Sequence, residues 1–221
     1  MKYEAALFDL DGTLVDSVYD LYIAMNLTLS ELAFPIVSQQ LVQSWVGNGI
    51  EMLVKRGLSG DMQVSEHLDS ALADKAISIF YSHYEQQVGE YSVLYQNVET
   101  GLAALRGMPK ALITNKARRF TESLLAKLAL TSHFEVIICG DDVSKKPSPE
   151  PLLLACDKLN VIPSKAVMIG DSKSDILAAH AAKIDVIALS YGYNQGENLS
   201  DYNPQYLCDN FLDIIPTLLQ R

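Results

Sequence analysis

The chain has 221 residues, 49% of them apolar, enough for one large domain or a core with a smaller companion. Its formal net charge of -10 argues against a nucleic-acid partner, which is gripped by clustered Lys and Arg. Met1-Lys2-Tyr3-Glu4 has no signal-peptide organisation and no apolar run approaches the ~20 residues that cross a bilayer, so a cytoplasmic protein with no membrane partner is expected.

The first element is an apolar run ending in acid, "EAALFDLDGTLVD". Ala5-Ala6-Leu7-Phe8 reads as a buried strand, and side chains two apart on a strand share a side, so Asp9 and Asp11 would repel unless a cation intervenes. Asp11-Gly12 can also be read simply as a turn pair. Next, Val18, Leu21, Tyr22, Met25, Leu29 and Leu32 recur at helical spacing, and Ser17 with Asp20 predicts a capping box at the helix start. From there to about Gly89 only helices are predicted: two around the Gly47-Asn48-Gly49 turn, then a long one through "SEHLDSALADKAISIFYSHYEQQV". Beyond Tyr91 short apolar runs ("KALIT", "FEVIICG", "AVMIGD", "VIALS") alternate with amphipathic helices, the rhythm of a parallel sheet covered on both faces. The expectation is an α/β fold with a doubly wound, Rossmann-like parallel sheet, built from residues 1-14 and 92-221, with a helical domain of residues 15-91 inserted after the first strand. Cys139, Cys156 and Cys208 lack CxxC spacing and are expected as small core residues in a reducing compartment.

Ligands of open parallel sheets bind at the carboxyl ends of the strands. Four strands here end in groups suited to one chemistry: Asp9 and Asp11, Thr114-Asn115, the loop to Lys146, and Gly170-Asp171. Converging carboxylates must be paired or bind metal, and oxygen donors select a hard cation, most simply Mg2+, held by Asp9, Asp11 and Asp171. Asp175 fits a capping box with Ser172 and can also orient the metal site from behind. A carboxylate beside Mg2+ can attack phosphorus, which makes Asp9 the candidate nucleophile. Thr114 and Lys146 would stabilise the transferring phosphoryl group, and Asp11 would serve as general acid and base. Gly12 would let backbone amides approach the phosphate. Pro147 and Pro149 are expected to start the next helix and aim Lys146, while Lys145 reads as a solvated loop lysine. Gly47, Asn48 and Gly49 could offer amides to a substrate carboxylate, or be only a helix-breaking turn. Tyr191-Gly192-Tyr193 follows a strand and could border the site.

In sequence order, "FDLDGTLVDS", "LITNK", "KKPSPEPL" and "GDSKSD" resemble the four motifs of the haloacid dehalogenase-like hydrolase superfamily, over nearly the whole chain. The resemblance implies a doubly wound core with a helical cap, Mg2+, Asp9 as nucleophile and Asp11 as acid/base, with Asp11 reaching the metal through its backbone carbonyl. Within the superfamily, "WVGNGIEMLV", "CGDDVSKKPSPEPLLL" and "YGYNQGE" are similar to bacterial phosphoglycolate phosphatases, with Asn115 and the Gly47-Asn48-Gly49 turn among the substrate-contacting candidates. The implied partner is a small phosphorylated metabolite. Alternatives are a β-phosphoglucomutase-like phosphotransferase, a phosphatase or pyrophosphatase with a different small substrate, and a non-catalytic phosphate-binding regulatory module.

Overall fold

The computed structural model describes residues 2–219. The chain runs β1 (Ala5–Phe8), β2 (Val15–Asp16), α1 (Val18–Glu31), α2 (Gln39–Trp45), α3 (Ile50–Ser59), α4 (Ser70–Gln87), β3 (Val93–Leu94), α5 (Val98–Ala104), β4 (Lys110–Ile113), α6 (Arg118–Lys127), β5 (Val136–Ile138), α7 (Glu150–Lys158), β6 (Ala166–Gly170), α8 (Lys173–Ala182), β7 (Asp185–Leu189), β8 (Tyr206–Cys208) and α9 (Ile214–Leu219). Six strands form one parallel sheet in the order β5-β4-β1-β6-β7-β8, so β1 is central. The fold is the α/β, doubly wound class expected.

Both faces of the sheet are buried, which explains why its strands are apolar runs rather than alternating ones. Leu7, Met168 and Val186 face α7 and α8, through Leu152, Ala155, Ile176 and Ala179. Ala6, Phe8, Ile169 and Ile187 face the other way, with Leu102 of α5, Leu124 of α6 and Ile214 of α9. Phe8 packs against Phe134 and Phe211, with ring centroids 6.2 and 6.1 Å apart. Each buried ring of this kind contributes on the order of 2 kcal/mol of transfer free energy. None of the helices in the described residues is long and apolar enough to cross a membrane.

Helices α1–α4 lie between β2 and β3, which pair as a two-stranded antiparallel ribbon, Val15 opposite Leu94 and Asp16 opposite Val93. The outgoing and returning chains therefore leave the sheet side by side. Inside the helical segment, Arg56 is buried and donates to the Trp45 and Met62 carbonyls, at 2.7 and 3.0 Å, tying α2 to α3.

Three local expectations are corrected. Asp20 does not form a capping box with Ser17: it is fully buried and accepts from the Gly89, Tyr91 and Ser92 N–H groups at 2.8, 2.9 and 3.2 Å and from the Ser92 hydroxyl. The Ser17 hydroxyl instead donates to Asp11, and the Tyr193 hydroxyl accepts from the Ser17 and Val18 N–H groups. Pro147 precedes the helix, Pro149 is the N-cap of α7, and Pro151 takes an early helical position, which needs no amide donor. Cys139 and Cys156 are buried, but Cys208 lies on edge strand β8 and is only partly covered.

Candidate active site

The carboxyl ends of β1, β4 and β6 form the floor of a cleft, and the helical segment roofs it. Asp9 continues β1, its N–H donating to the Ile169 carbonyl at 2.9 Å. Its carboxylate lies 2.8 Å from the Lys146 ammonium. Lys146 comes in on the loop before α7 and is 3% exposed, so all three of its donors must be used inside the protein. They meet Asp9, Asp175 at 2.7 Å and the Ile113 carbonyl at 2.7 Å.

Asp171 follows β6 and is 1% exposed. It accepts from the Thr13 hydroxyl at 2.5 Å and the Tyr193 N–H at 2.6 Å, and among the described residues it has no ion-pair partner. Gly12 and Gly192 make that possible: a Cβ on either would sit 2.2 or 2.3 Å from Asp171 atoms, and Gly12 also has φ +92°. Asp175 closes the capping box of α8, its second oxygen accepting from the Ser172 N–H and hydroxyl at 3.1 and 2.6 Å.

Oxygen atoms of Asp9, Asp171 and Asp175 lie within 4.8 Å of one another, with Lys146 as their one close ammonium. Burial pushes the Asp9 carboxyl up to about 7, Lys146 opposing and the Asp175 charge adding to the rise. Asp171 is pushed well above the carboxylate range by burial, then by Asp9 and Asp175. Burial works against the Lys146 charge, yet Asp175 and Asp9 together raise its pKa above the usual value. An all-oxygen donor set with too little positive charge fits a hard divalent cation, for which Asp9 and Asp171 are the available ligands because Asp175 is already engaged.

Asp11 faces away from this cluster. Its carboxylate takes both oxygens to Lys116, at 2.9 Å each, and accepts from the Ser17 hydroxyl at 2.5 Å. Lys116, which follows β4, is buried and also lies 5.1 Å from the centre of the Tyr84 ring on α4. Burial opposes its charge, but Asp11 and Tyr84 raise its pKa overall.

The cleft has a free volume of about 40 Å³ and is lined by Asp9, Asp11, Thr114 and Lys116 below and by Val46, Gly47 and Leu53 above. Asn115 is less a wall than a latch. Its amide donates to the Gly47 and Lys146 carbonyls at 2.9 and 3.0 Å and accepts from the Lys146 N–H at 2.8 Å. Gly47 and Gly49 face the cleft, Gly49 as the N-cap of α3, whereas Asn48 turns out to Ser174 at 3.5 Å. Lys145 is half-buried rather than solvated, its Nζ lying 3.2 Å from where a Gly49 Cβ would be. Tyr191 and Tyr193 do border the site, the Tyr191 hydroxyl donating to the Thr13 carbonyl at 2.7 Å.

Lys116 and Thr13, the Ser17 contact with Asp11 and the Tyr193 amide contact with Asp171 are not assigned from sequence. The first three stand inside or beside the quoted motifs, so adjacency to Asp9, Asp11 and Thr114 was the available signal. The Tyr193 amide reaches Asp171 across 22 residues, and no local pattern announces such a contact.

Residues 6–189 match the family model of the haloacid dehalogenase-like hydrolases. The chain is 46% identical over 218 residues to a phosphoglycolate phosphatase of Colwellia psychrerythraea, covering 97% of this chain and 96% of that one. It is 42% identical over 220 residues to a phosphoglycolate phosphatase of Nitrosococcus oceani, covering 98% and 97%. Its structure superposes with a TM-score of 0.91 on the crystal structure of a predicted phosphoglycolate phosphatase from Haemophilus somnus, 32% identical and covering 98% of each chain.

Proposed function

Because the chain belongs to the haloacid dehalogenase-like hydrolase family and is a phosphatase within it, we propose that it hydrolyses a small phosphomonoester through a phosphorylated Asp9, with 2-phosphoglycolate as substrate and Mg2+ as cofactor. The observation that carries this reading is the Asp9 carboxylate at the cleft floor, bonded to Lys146 and within 4.8 Å of Asp171. Bound between Asp9 and Asp171, Mg2+ would supply the positive charge that lets an anionic nucleophile approach a phosphate dianion.

The chain's own groups do the rest. Asp9 attacks phosphorus in line with the ester oxygen. The Lys146 N–H group that meets Asp9 turns to the phosphoryl oxygens with the Thr114 hydroxyl as charge redistributes over them. Asp11, protonated, gives its proton to the departing alkoxide, so that glycolate leaves as a neutral alcohol at that oxygen. As carboxylate it then takes a proton from the water that attacks phosphorus of the Asp9 acyl phosphate, which releases inorganic phosphate and restores both acids. Asp175 and the Ile113 carbonyl keep the Lys146 ammonium in place through both steps.

The substrate assignment is supported by the relatives' names. The test is phosphate release by purified protein from 2-phosphoglycolate, β-glucose 1-phosphate, pyrophosphate and an aryl phosphate, each with Mg2+ and with EDTA. A chelator-sensitive preference for 2-phosphoglycolate is the expected result. Equal rates on all four would retain the phosphatase and remove the substrate, and no release from any would remove both.

A further inference from the structure

Beside Asp11 the Lys116 ammonium makes two hydrogen bonds, both to that carboxylate, with three N–H groups to give. The Ser17 hydroxyl donates to the same carboxylate. Behind them the Tyr84 hydroxyl is fully buried and has no hydrogen-bond partner, with Lys116 and Asp11 as its charged neighbours. Buried polar groups are almost always paired, so a donor-rich corner of this kind suits an additional acceptor, and an anionic one best. Lys116 is among the residues that line the cleft, with its side chain 3% exposed.

Bond connectivity locates that anion. In 2-phosphoglycolate the ester oxygen and the carboxylate are separated by one methylene and the carboxyl carbon. The ester oxygen must lie within hydrogen-bond reach of Asp11, about 3 Å, to receive its proton. The Lys116 ammonium is 2.9 Å from that same carboxylate. A carboxylate two bonds beyond the ester oxygen therefore falls within reach of Lys116, whereas the phosphoryl oxygens lie on the Lys146 side.

We propose that Lys116 is the residue that reads the substrate carboxylate, so that the two lysines divide the substrate: Lys146 takes the phosphoryl end and Lys116 the acid end. This rests on the 2-phosphoglycolate reading above. It adds a requirement for a negative charge on the leaving group that phosphomonoesters of neutral alcohols cannot satisfy. Tyr84, from α4, backs the ammonium with its ring face at 5.1 Å, so the helical segment contributes to the same recognition.

The experiment compares kcat/KM for 2-phosphoglycolate and for ethyl phosphate, which has the same ester oxygen and two-carbon chain but no carboxylate, in the wild type and in Lys116→Met. Both activities fall in the variant, because Lys116 also holds Asp11. The ratio between substrates is the readout: it is expected to collapse by about 100-fold, the range seen when a buried charged hydrogen-bonding partner is lost. A ratio within threefold of the wild-type value overturns the assignment of Lys116 while leaving the substrate intact. A wild-type ratio near one overturns the substrate reading itself. Should Lys116→Met fail to fold, a crystal structure of Asp9→Asn with bound 2-phosphoglycolate decides the question: the Lys116 ammonium within hydrogen-bonding distance of the carboxylate supports the proposal, and a carboxylate held elsewhere refutes it.

Discussion

Asp9 and Asp11 stand two residues apart at one strand end, yet each has its own lysine, Lys146 for the first and Lys116 for the second. The pairing keeps a nucleophile and an acid/base in different electrostatic settings, as a two-step displacement needs. Asp9→Asn is expected to reduce turnover to background with an unchanged melting temperature or a raised one, since it removes a nucleophile and one of the crowded charges. Steady-state assay and thermal denaturation check this, and wild-type-like turnover would sink the mechanism. Asp11→Asn is expected to slow both phosphorylation of Asp9 and its hydrolysis by at least about 100-fold, the usual scale for a general acid or base. Rapid-quench measurement of the two steps separates them, and unchanged rates would remove Asp11 from the chemistry. Asp9, Thr114, Lys146 and Asp171 could be picked out beforehand because each ends a readable strand or follows it closely. Lys116 could not be assigned, because its partner is 105 residues away. Only folding reveals which carboxylate it meets.

At the scale of elements, the junction between the sheet and the helical segment hangs on Asp20. Four donors from residues 89–92 converge on this one carboxylate, so it fastens the start of α1 to the chain returning from α4. Asp20→Asn keeps the shape but turns an amide toward buried N–H groups, and should destabilise the protein by about 2–4 kcal/mol. A urea titration reads this as a lower midpoint, and a shift below about 0.5 kcal/mol would show that the junction does not depend on Asp20. The same residue shows what sequence patterns hide. Ser-x-x-Asp is a local signal for a helix cap, but partners some 70 positions distant take the Asp20 carboxylate and Asp11 takes the Ser17 hydroxyl. The long strands were legible from apolar runs. The ribbon of β2 and β3, two residues each, and the three-residue β8 are too short to carry periodicity and exist because neighbouring strands impose them.

For the molecule as a whole, the crowded acids couple stability to pH and to metal. Asp9 sits at about 7 when folded, against roughly 3.9 in an unfolded chain, and Asp171 is raised as well. A carboxyl raised on folding contributes stability that is present below its unfolded pKa and lost as pH rises through its folded one. Metal-free protein should therefore lose stability between about pH 4 and pH 7. Because Mg2+ binds the ionised acids, the gain in melting temperature on adding it should grow across the same window, by several degrees at ~2–4 °C per kcal/mol for a chain of this size. Thermal scans in EDTA and in Mg2+ from pH 4.5 to 8 test this; an increment that stays flat would contradict it. The position of β1 has a different consequence, which concerns the chain while it is being made. Residues 5–8 leave the ribosome well before their hydrogen-bonded neighbours, residues 110–112 and 166–169. At about 5–20 residues per second the nascent chain carries this apolar strand uncovered for roughly 8–30 seconds before β6 is synthesised. The strand that delivers the nucleophile is thus made before both of its neighbours and enclosed only after β6, and a chain translated short of β6 cannot own the site.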